Sequence, residues 1–282
     1  MFRLLNLTVV LFVMLLLAPL SALCGYEVDY SDLNSTLNKY VKKPFVDYEG
    51  LVQDHEALDQ FVGMLMRIPT DEIDNNMTRD ERLAFWINSF NALTLKGIVE
   101  AWPTMSIKRI DGYQDRIWTV AGHPTTLDNI RVRFLGKELG DPRAFMATCD
   151  GTAGAPPLQP YAFDPDSIDV QLDRVTHSIF NNPKLTQLDP EAGELKVNAN
   201  LYVFREFIQK KYPDKGQFAS LPDDQAAVLN FVLDFAEGQL KAELEAKRDW
   251  KLSVVSYMWM LNSDKRPPVP KAEGAPIDKP NR

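Results

Sequence analysis

The run from Thr78 to Pro103 constrains the fold of this chain more than any other part of it. Thr78 with Glu81 three residues on has the spacing of a capping box, in which each side chain bonds the other residue's backbone N–H and fixes a helix start. Pro103 sets the stop, because it cannot continue a helix and it biases Trp102 away from helical backbone. Between the two, the spacing predicts one long helix. At about 3.6 residues per turn, Arg82, Ser89, Lys96 and Glu100 share a narrow stripe expected to face water. Ala84, Ile87, Phe90, Leu95, Ile98 and Val99 cover most of the remaining circumference, and a helix that is apolar nearly all round has to be buried.

Asn88 and Asn91 interrupt that apolar surface one turn apart, on the side opposite the charged stripe. A primary amide buried without partners costs on the order of 1–3 kcal/mol, so both side chains must bond to something. Either they tie the backbone of a neighbouring loop to the helix, or they orient a ligand in a site.

The rest of the chain has to wrap this helix. With 282 residues, 45% hydrophobic and 25% charged, it is long enough to do so and ordinary in composition. The net charge of −8 argues against non-specific binding of nucleic acid or of anionic membranes. Near the start, Arg3 precedes a run from Leu7 to Leu20 that is apolar but for Thr8. This is short of the roughly 20 residues of a membrane span and has the length of a signal-peptide core, with small residues Ala22, Cys24 and Gly25 at a cleavage point. We therefore expect residues 1–24 to be a signal peptide, the protein to be exported (periplasmic or extracellular), and no stable membrane span to remain after cleavage. Leu23 before Cys24 does not fit a lipoprotein signal, which wants a small residue there. Cleavage would leave Cys149 as the one thiol and no intramolecular disulfide.

Along the chain, a helical pattern runs from Asp29 to Val41, and another from Leu51 to Met66. After the central helix, Ser106–Ile110 and Arg116–Val120 read as extended, with Gly122-His123-Pro124 as a turn. Thr126 caps a short helix running to Phe134. Asp141-Pro142-Arg143 introduces the apolar run Ala144–Thr148, which reads as a buried strand. The segment from Cys149 to Leu158 is a loop with Gly151, Gly154, Pro156 and Pro157. Asp166–Phe180 is an amphipathic helix with apolar positions including Ile168, Val170, Leu172, Val175 and Ile179. Leu185–Leu188 and Glu194–Val197 form a hairpin. Helices follow over Asn200–Lys211 and Asp223–Leu244, then a strand-like Leu252–Trp259, and a Pro- and Lys-rich tail over 263–282. The expectation is α+β in a single domain over 25–262, with the buried central helix packed on a small mixed or antiparallel sheet and helices at both ends.

Phe85-Trp86-Ile87-Asn88 with Asn91-Ala92-Leu93-Thr94 resembles the signature of the family catalogued as domain of unknown function 547. Val46-Asp47-Tyr48 with Leu51, the Trp118, Gly122 and Leu127-Asp128-Ile130 spacing, Asp141-Pro142-Arg143 with Pro156-Pro157-Leu158, and Tyr257, Trp259, Leu261 and Asn262 extend the resemblance from Val46 to Asn262. The resemblance also implies polar residues that this chain lacks. Where it implies a His after the Arg there is Phe145; where it implies Cys there are Asp150 and Ala155; and its Glu-His pair is here Arg131-Val132. It carries over no activity.

Two functional readings follow. In the first, the chain is a binding or structural envelope domain, taking a small molecule, peptide or glycan at a pocket beside the 149–158 loop, with Asn88, Asn91, Asp128 and Arg143 as ligand-binding candidates. In the second, it is a hydrolase- or transferase-like enzyme. Cys149 would be the nucleophile, His123 or His177 its base, and an amide the oxyanion donor, or Asp150 would act as acid or base with Asp128. His55, beside Asp54 and Glu56, reads as a surface residue. Three scattered His and one Cys lack metal-ligand spacing, and no phosphate-loop or other cofactor pattern is present.

Overall fold

The computed structural model describes residues 27–113, 115–213, 216–246 and 249–265. The expected signal segment over 1–24 and all of the tail from 266 on lie outside the described residues.

In chain order the elements are α1 Ser31–Tyr40, β1 Val41–Lys42, β2 Phe45–Val46, α2 Tyr48–Gln53, α3 Glu56–Arg67 and α4 Arg79–Glu100. Then come β3 Trp118–Val120, β4 His123–Thr125, α5 Leu127–Asn129, α6 Ala144–Ala147 and α7 Ile168–Phe180. The last are β5 Gln187–Asp189, β6 Glu194–Val197, α8 Ala199–Val203, α9 Arg205–Lys211, α10 Asp223–Phe235, α11 Gly238–Ala246 and β7 Lys251–Val254. The chain is thus α+β, with three small sheets among the described residues. β1/β2 and β3/β4 are antiparallel pairs, and β5-β6-β7 is mixed, with β6 and β7 parallel.

The central helix α4 forms as its sequence dictates. Thr78 Oγ1 accepts from the Glu81 N–H at 3.3 Å, and Glu81 Oε2 accepts from the Thr78 N–H at 2.6 Å. Every residue from Leu83 to Leu95 is buried. Trp86 stacks on Phe134 with ring centroids 3.7 Å apart. The elements around α4 are mostly helical: α3, α2, α6, α7 and a π-helical stretch over Ile130–Leu139 that continues α5. The helix therefore sits among helices more than on a sheet.

Several local expectations are corrected. Ala144–Ala147 is a helical turn and not a strand, although it is buried as expected. The Asp141 side chain accepts from the Arg143 N–H and turns the chain, and the N–H groups of Ala144, Phe145 and Met146 bond three residues back. A short apolar run has too few residues for its period to distinguish helix from strand. Ile107–Arg109 is a 3-10 turn, started by Ser106 Oγ accepting from the Lys108 N–H. His123 and Pro124 lie on β4 and not in the turn, which is Ala121-Gly122. Leu51–Met66 divides into α2 and α3 at Asp54-His55, and Asp223–Leu244 into α10 and α11 at Ala236-Glu237. Ser89, expected to face water, is fully enclosed, whereas Val170, expected inside, is exposed.

Replacing Thr78 by Ala removes one side of the capping box and is expected to lower stability by about 1 kcal/mol, read as a shift in the urea midpoint at unchanged slope.

Candidate functional site

Both central amides are consumed by backbone. Asn88 Oδ1 accepts from the Phe163 N–H at 2.8 Å while its Nδ2 donates to the Phe163 carbonyl at 2.7 Å. Asn91 Oδ1 accepts from the Cys149 N–H at 2.9 Å while its Nδ2 donates to the Ala147 carbonyl at 3.0 Å. Each amide thus imitates a strand edge and fastens one end of the 147–163 segment to α4. The loop after Thr148 does fold back on the central helix.

Gly151 comes closest. It has φ +83°, and a Cβ there would lie 2.3 Å from Ile98 Cδ1 and 3.4 Å from the Tyr48 hydroxyl, so only glycine fits. Over the loop runs the last described segment of the chain. The N–H groups of Ala153 and Gly154 donate to the carbonyls of Met260 and Met258 at 2.8 and 3.0 Å, and the Asn262 N–H donates to the Gly151 carbonyl at 3.0 Å. A hollow touching Ala153, Gly154, Asn198 and Met258 measures about 20 Å³, room for no more than a water. The space above the loop is filled by the protein itself.

Cys149 is 2% exposed and forms no disulfide. Burial, reinforced by the nearby Asp150 charge, pushes its thiol up to about 12, although the N–H groups of Gly151 and Leu158 and the Asn262 amide pull the other way. Asn262 Nδ2 lies 3.5 Å from Sγ, and its Oδ1 accepts from the Tyr48 hydroxyl at 2.8 Å. The thiol therefore stays protonated at neutral pH and is a poor nucleophile.

Neither histidine is its partner. His123 sits 6.3 Å from the Trp86 ring and 5.6 Å from Phe134, with Nε2 3.7 Å from Asp74. His177 pairs with Glu237 at 2.9 Å on the surface. His55 bonds Asp59 at 2.8 Å, part-exposed as expected.

Asp150 accepts from the Thr152 N–H at 3.0 Å, from the Thr152 hydroxyl at 2.6 Å and from the Tyr257 hydroxyl at 2.5 Å. Burial and the Asp150 charge hold the Tyr257 phenol protonated well above its ordinary range. Asp128 instead pairs with Arg131 at 2.8 Å on an exposed face, so each carboxylate has its own partners. Tyr48, Thr152, Tyr257 and Asn262 thus complete the cluster around Cys149 and Asp150. The first and last two of these fall within the segments that carry the sequence resemblance, but their distance in sequence from Cys149 hid the contact.

Arg143 is occupied as well. It holds the fully buried Asp141 through Nε at 3.0 Å and Nη2 at 2.7 Å, and reaches Asp169 and Asp173 on α7 at 2.6 Å each. Arg79 at the start of α4 also bonds Asp141, at 2.9 Å. Burial alone would raise the Asp141 pKa, but Arg143, Lys211 and Arg79 outweigh it and hold the carboxyl well below its usual range.

Residues 75–178 match the family model described as Protein of unknown function, DUF547. Over this stretch, 104 of the chain's 282 residues, the chain is similar to that family. No curated protein and no solved structure matches it. The matched DUF547 stretch holds both amides, the Asp141–Arg143 pair and the Cys149 loop, while Tyr48, Tyr257 and Asn262 lie beyond its ends. Where the DUF547 resemblance implies a His, Phe145 stacks on Phe204 at 4.2 Å; where it implies a Cys, Ala155 is buried. Arg131 lies between the rings of Phe90 and Phe204, 5.1 Å from each. Apolar contacts occupy these three positions, whereas Asp150, at the other position where a Cys is implied, is hydrogen-bonded to Thr152 and Tyr257. Among the described residues no group of three or more His, Cys, Asp or Glu is placed to hold a metal, and no helix is long and apolar enough to cross a membrane.

Asn91→Leu leaves the Cys149 N–H and the Ala147 carbonyl unpaired and is expected to lower stability by more than about 1.5 kcal/mol in urea unfolding. Asp141→Asn breaks a buried ion pair and is expected to lose about 3 kcal/mol at neutral pH. Because the Asp141 carboxyl has a depressed pKa in the fold, its contribution is complete above about pH 4 and fades as acid titrates the folded state. The wild type should lose stability below that pH more steeply than Asp141→Asn, as followed by thermal midpoints across an acid series.

Proposed function

We propose that this chain is an exported binding or structural domain of the cell envelope, in which the 149–158 loop is a structural tie. The observation that carries this reading is the setting of Cys149: enclosed, with Asn262 Nδ2 against its Sγ and its N–H held by Asn91, and with no histidine among its partners, so burial opposes ionisation of the thiol. The use of both amides on backbone, and the cover of Met258–Asn262 over the loop, support it further. The apolar run over 7–20 behind Arg3 supports export. With the loop covered, a ligand would meet the molecule beside it, at a groove of about 510 Å³ between the 107–113 stretch and Trp259. That size suits a side chain or a small ligand.

The test is native thiol labelling of the mature protein with an aromatic disulfide reagent. Cys149 is expected to react only after denaturant unfolds the chain. Rapid reaction near pH 6 in the folded protein would reveal an activated thiolate and return the catalytic reading.

A further inference from the structure

Four large apolar side chains stand in solvent on and beside the 258–260 segment. Met258, Trp259 and Met260 are 53%, 41% and 57% exposed, and Met105 is 36% exposed. The Leu261 N–H donates to the Met105 carbonyl at 3.0 Å, and the Ser106 hydroxyl to the Trp259 carbonyl at 2.6 Å, so Met105 lies alongside the 258–260 segment. Single exposed apolar residues are normal, but contiguous ones mark an interaction surface. Successive residues of an extended segment point to opposite sides, and here both sides are exposed, so the segment stands up as a ridge. Bonds to Ala153 and Gly154 hold its backbone in place before any partner arrives. At one flank lies the groove lined by Ile107, Ile110, Tyr113, Asp115 and Trp259.

We propose that this ridge and groove dock an extended polypeptide segment bearing an apolar side chain next to carboxylates; the proposal rests on the reading of the chain as a binding domain. Three of the four ridge residues are methionines, whose unbranched side chains repack around differently shaped apolar partners. The apolar anchor of the partner enters the groove. Its carboxylates meet Lys108, whose Nζ lies 3.7 Å over the Trp259 ring, and Arg109 beside it. Both cations are exposed and neither has a carboxylate partner among the described residues, in a chain with eight more acidic than basic residues. A lipid surface fits less well. A flat bilayer leaves the concave groove empty, and the net charge of −8 opposes approach to anionic headgroups.

The experiment selects peptides from a random displayed library on the immobilised full chain, then titrates one synthetic selected peptide against the protein in solution. Trp259 is the most exposed tryptophan of the described chain, since Trp86, Trp118 and Trp250 are 2%, 8% and 3% exposed and Trp102 is half-buried, so its fluorescence reports binding. Selected peptides are expected to combine acidic with apolar residues. The double variant Met258→Ser/Met260→Ser should weaken binding about tenfold or more, as for the centre of an interface. Lys108→Glu should weaken it and should be rescued by a peptide with Lys in place of its acidic residue. All variants should keep the wild-type thermal midpoint, because these side chains are exposed. The proposal is overturned if selected peptides lack acidic residues or bind the double variant equally well. It is also overturned if no peptide is selected and the chain instead sediments with phosphatidylglycerol vesicles, or self-associates, in a manner that Trp259→Ser abolishes. None of these results alters the Cys149 labelling, so failure of the docking surface and failure of the binding-domain reading remain separate.

Discussion

The fold depends on one constraint: α4 is buried nearly all round, and the two amides on it must be satisfied there. An apolar helix can be wrapped in many ways, because apolar contact has no direction. A buried amide cannot, since a donor and an acceptor must each meet a partner in line. Asn88 and Asn91 each receive one N–H and one carbonyl from the 147–163 segment. Those four bonds choose a single register for a segment of small residues and prolines that has little periodic pattern of its own. The Asp141–Arg143 pair does related work at the other end, joining the start of α4 to α7 through Arg79, Asp169 and Asp173.

How much of this could be read from the chain varies with how local the cause is. The limits of α4 were legible because the Thr78–Glu81 box and Pro103 act over a few residues. That the amides are buried followed from their place on an apolar surface, and the loop they hold followed from its composition. What escaped was set by contacts between distant residues. Ala144–Thr148 carries no period of its own, and a turn built on Asp141 decides it. Ser89 lies on the stripe with Lys96, yet other elements close over it. The breaks at Asp54-His55 and Ala236-Glu237 interrupt apolar patterns that continue across them.

The candidate site was legible in membership more than in role. Cys149, Asp150 and Asn91 do come together at one end of the loop, whereas Asn88 holds Phe163 at the other end of the segment, and Asn262 and Tyr257 stand where a catalytic base would have to be. The histidines were chosen because they titrate near neutrality, a property of the side chain that says nothing about where it sits. His123 is placed by aromatic packing and His177 by a surface carboxylate. Of the positions at which this chain departs from the resemblance, Phe145, Ala155 and Arg131 lie against apolar neighbours or in the core, while Asp150 is held by Thr152 and Tyr257 and Val132 is exposed.

The bonds from Asn262 reach back to Val46 and, across 214 residues, to Tyr48. The earliest strands and the central loop are therefore closed by almost the last described residue. A chain with this wiring has no early fragment able to finish its own interior; until that terminal stretch emerges, Gly151 and Cys149 are roofless and their polar neighbours wet. Closure has to span 214 residues, a loop whose entropy must be lost before its contacts form, which slows assembly relative to a bundle of neighbouring helices.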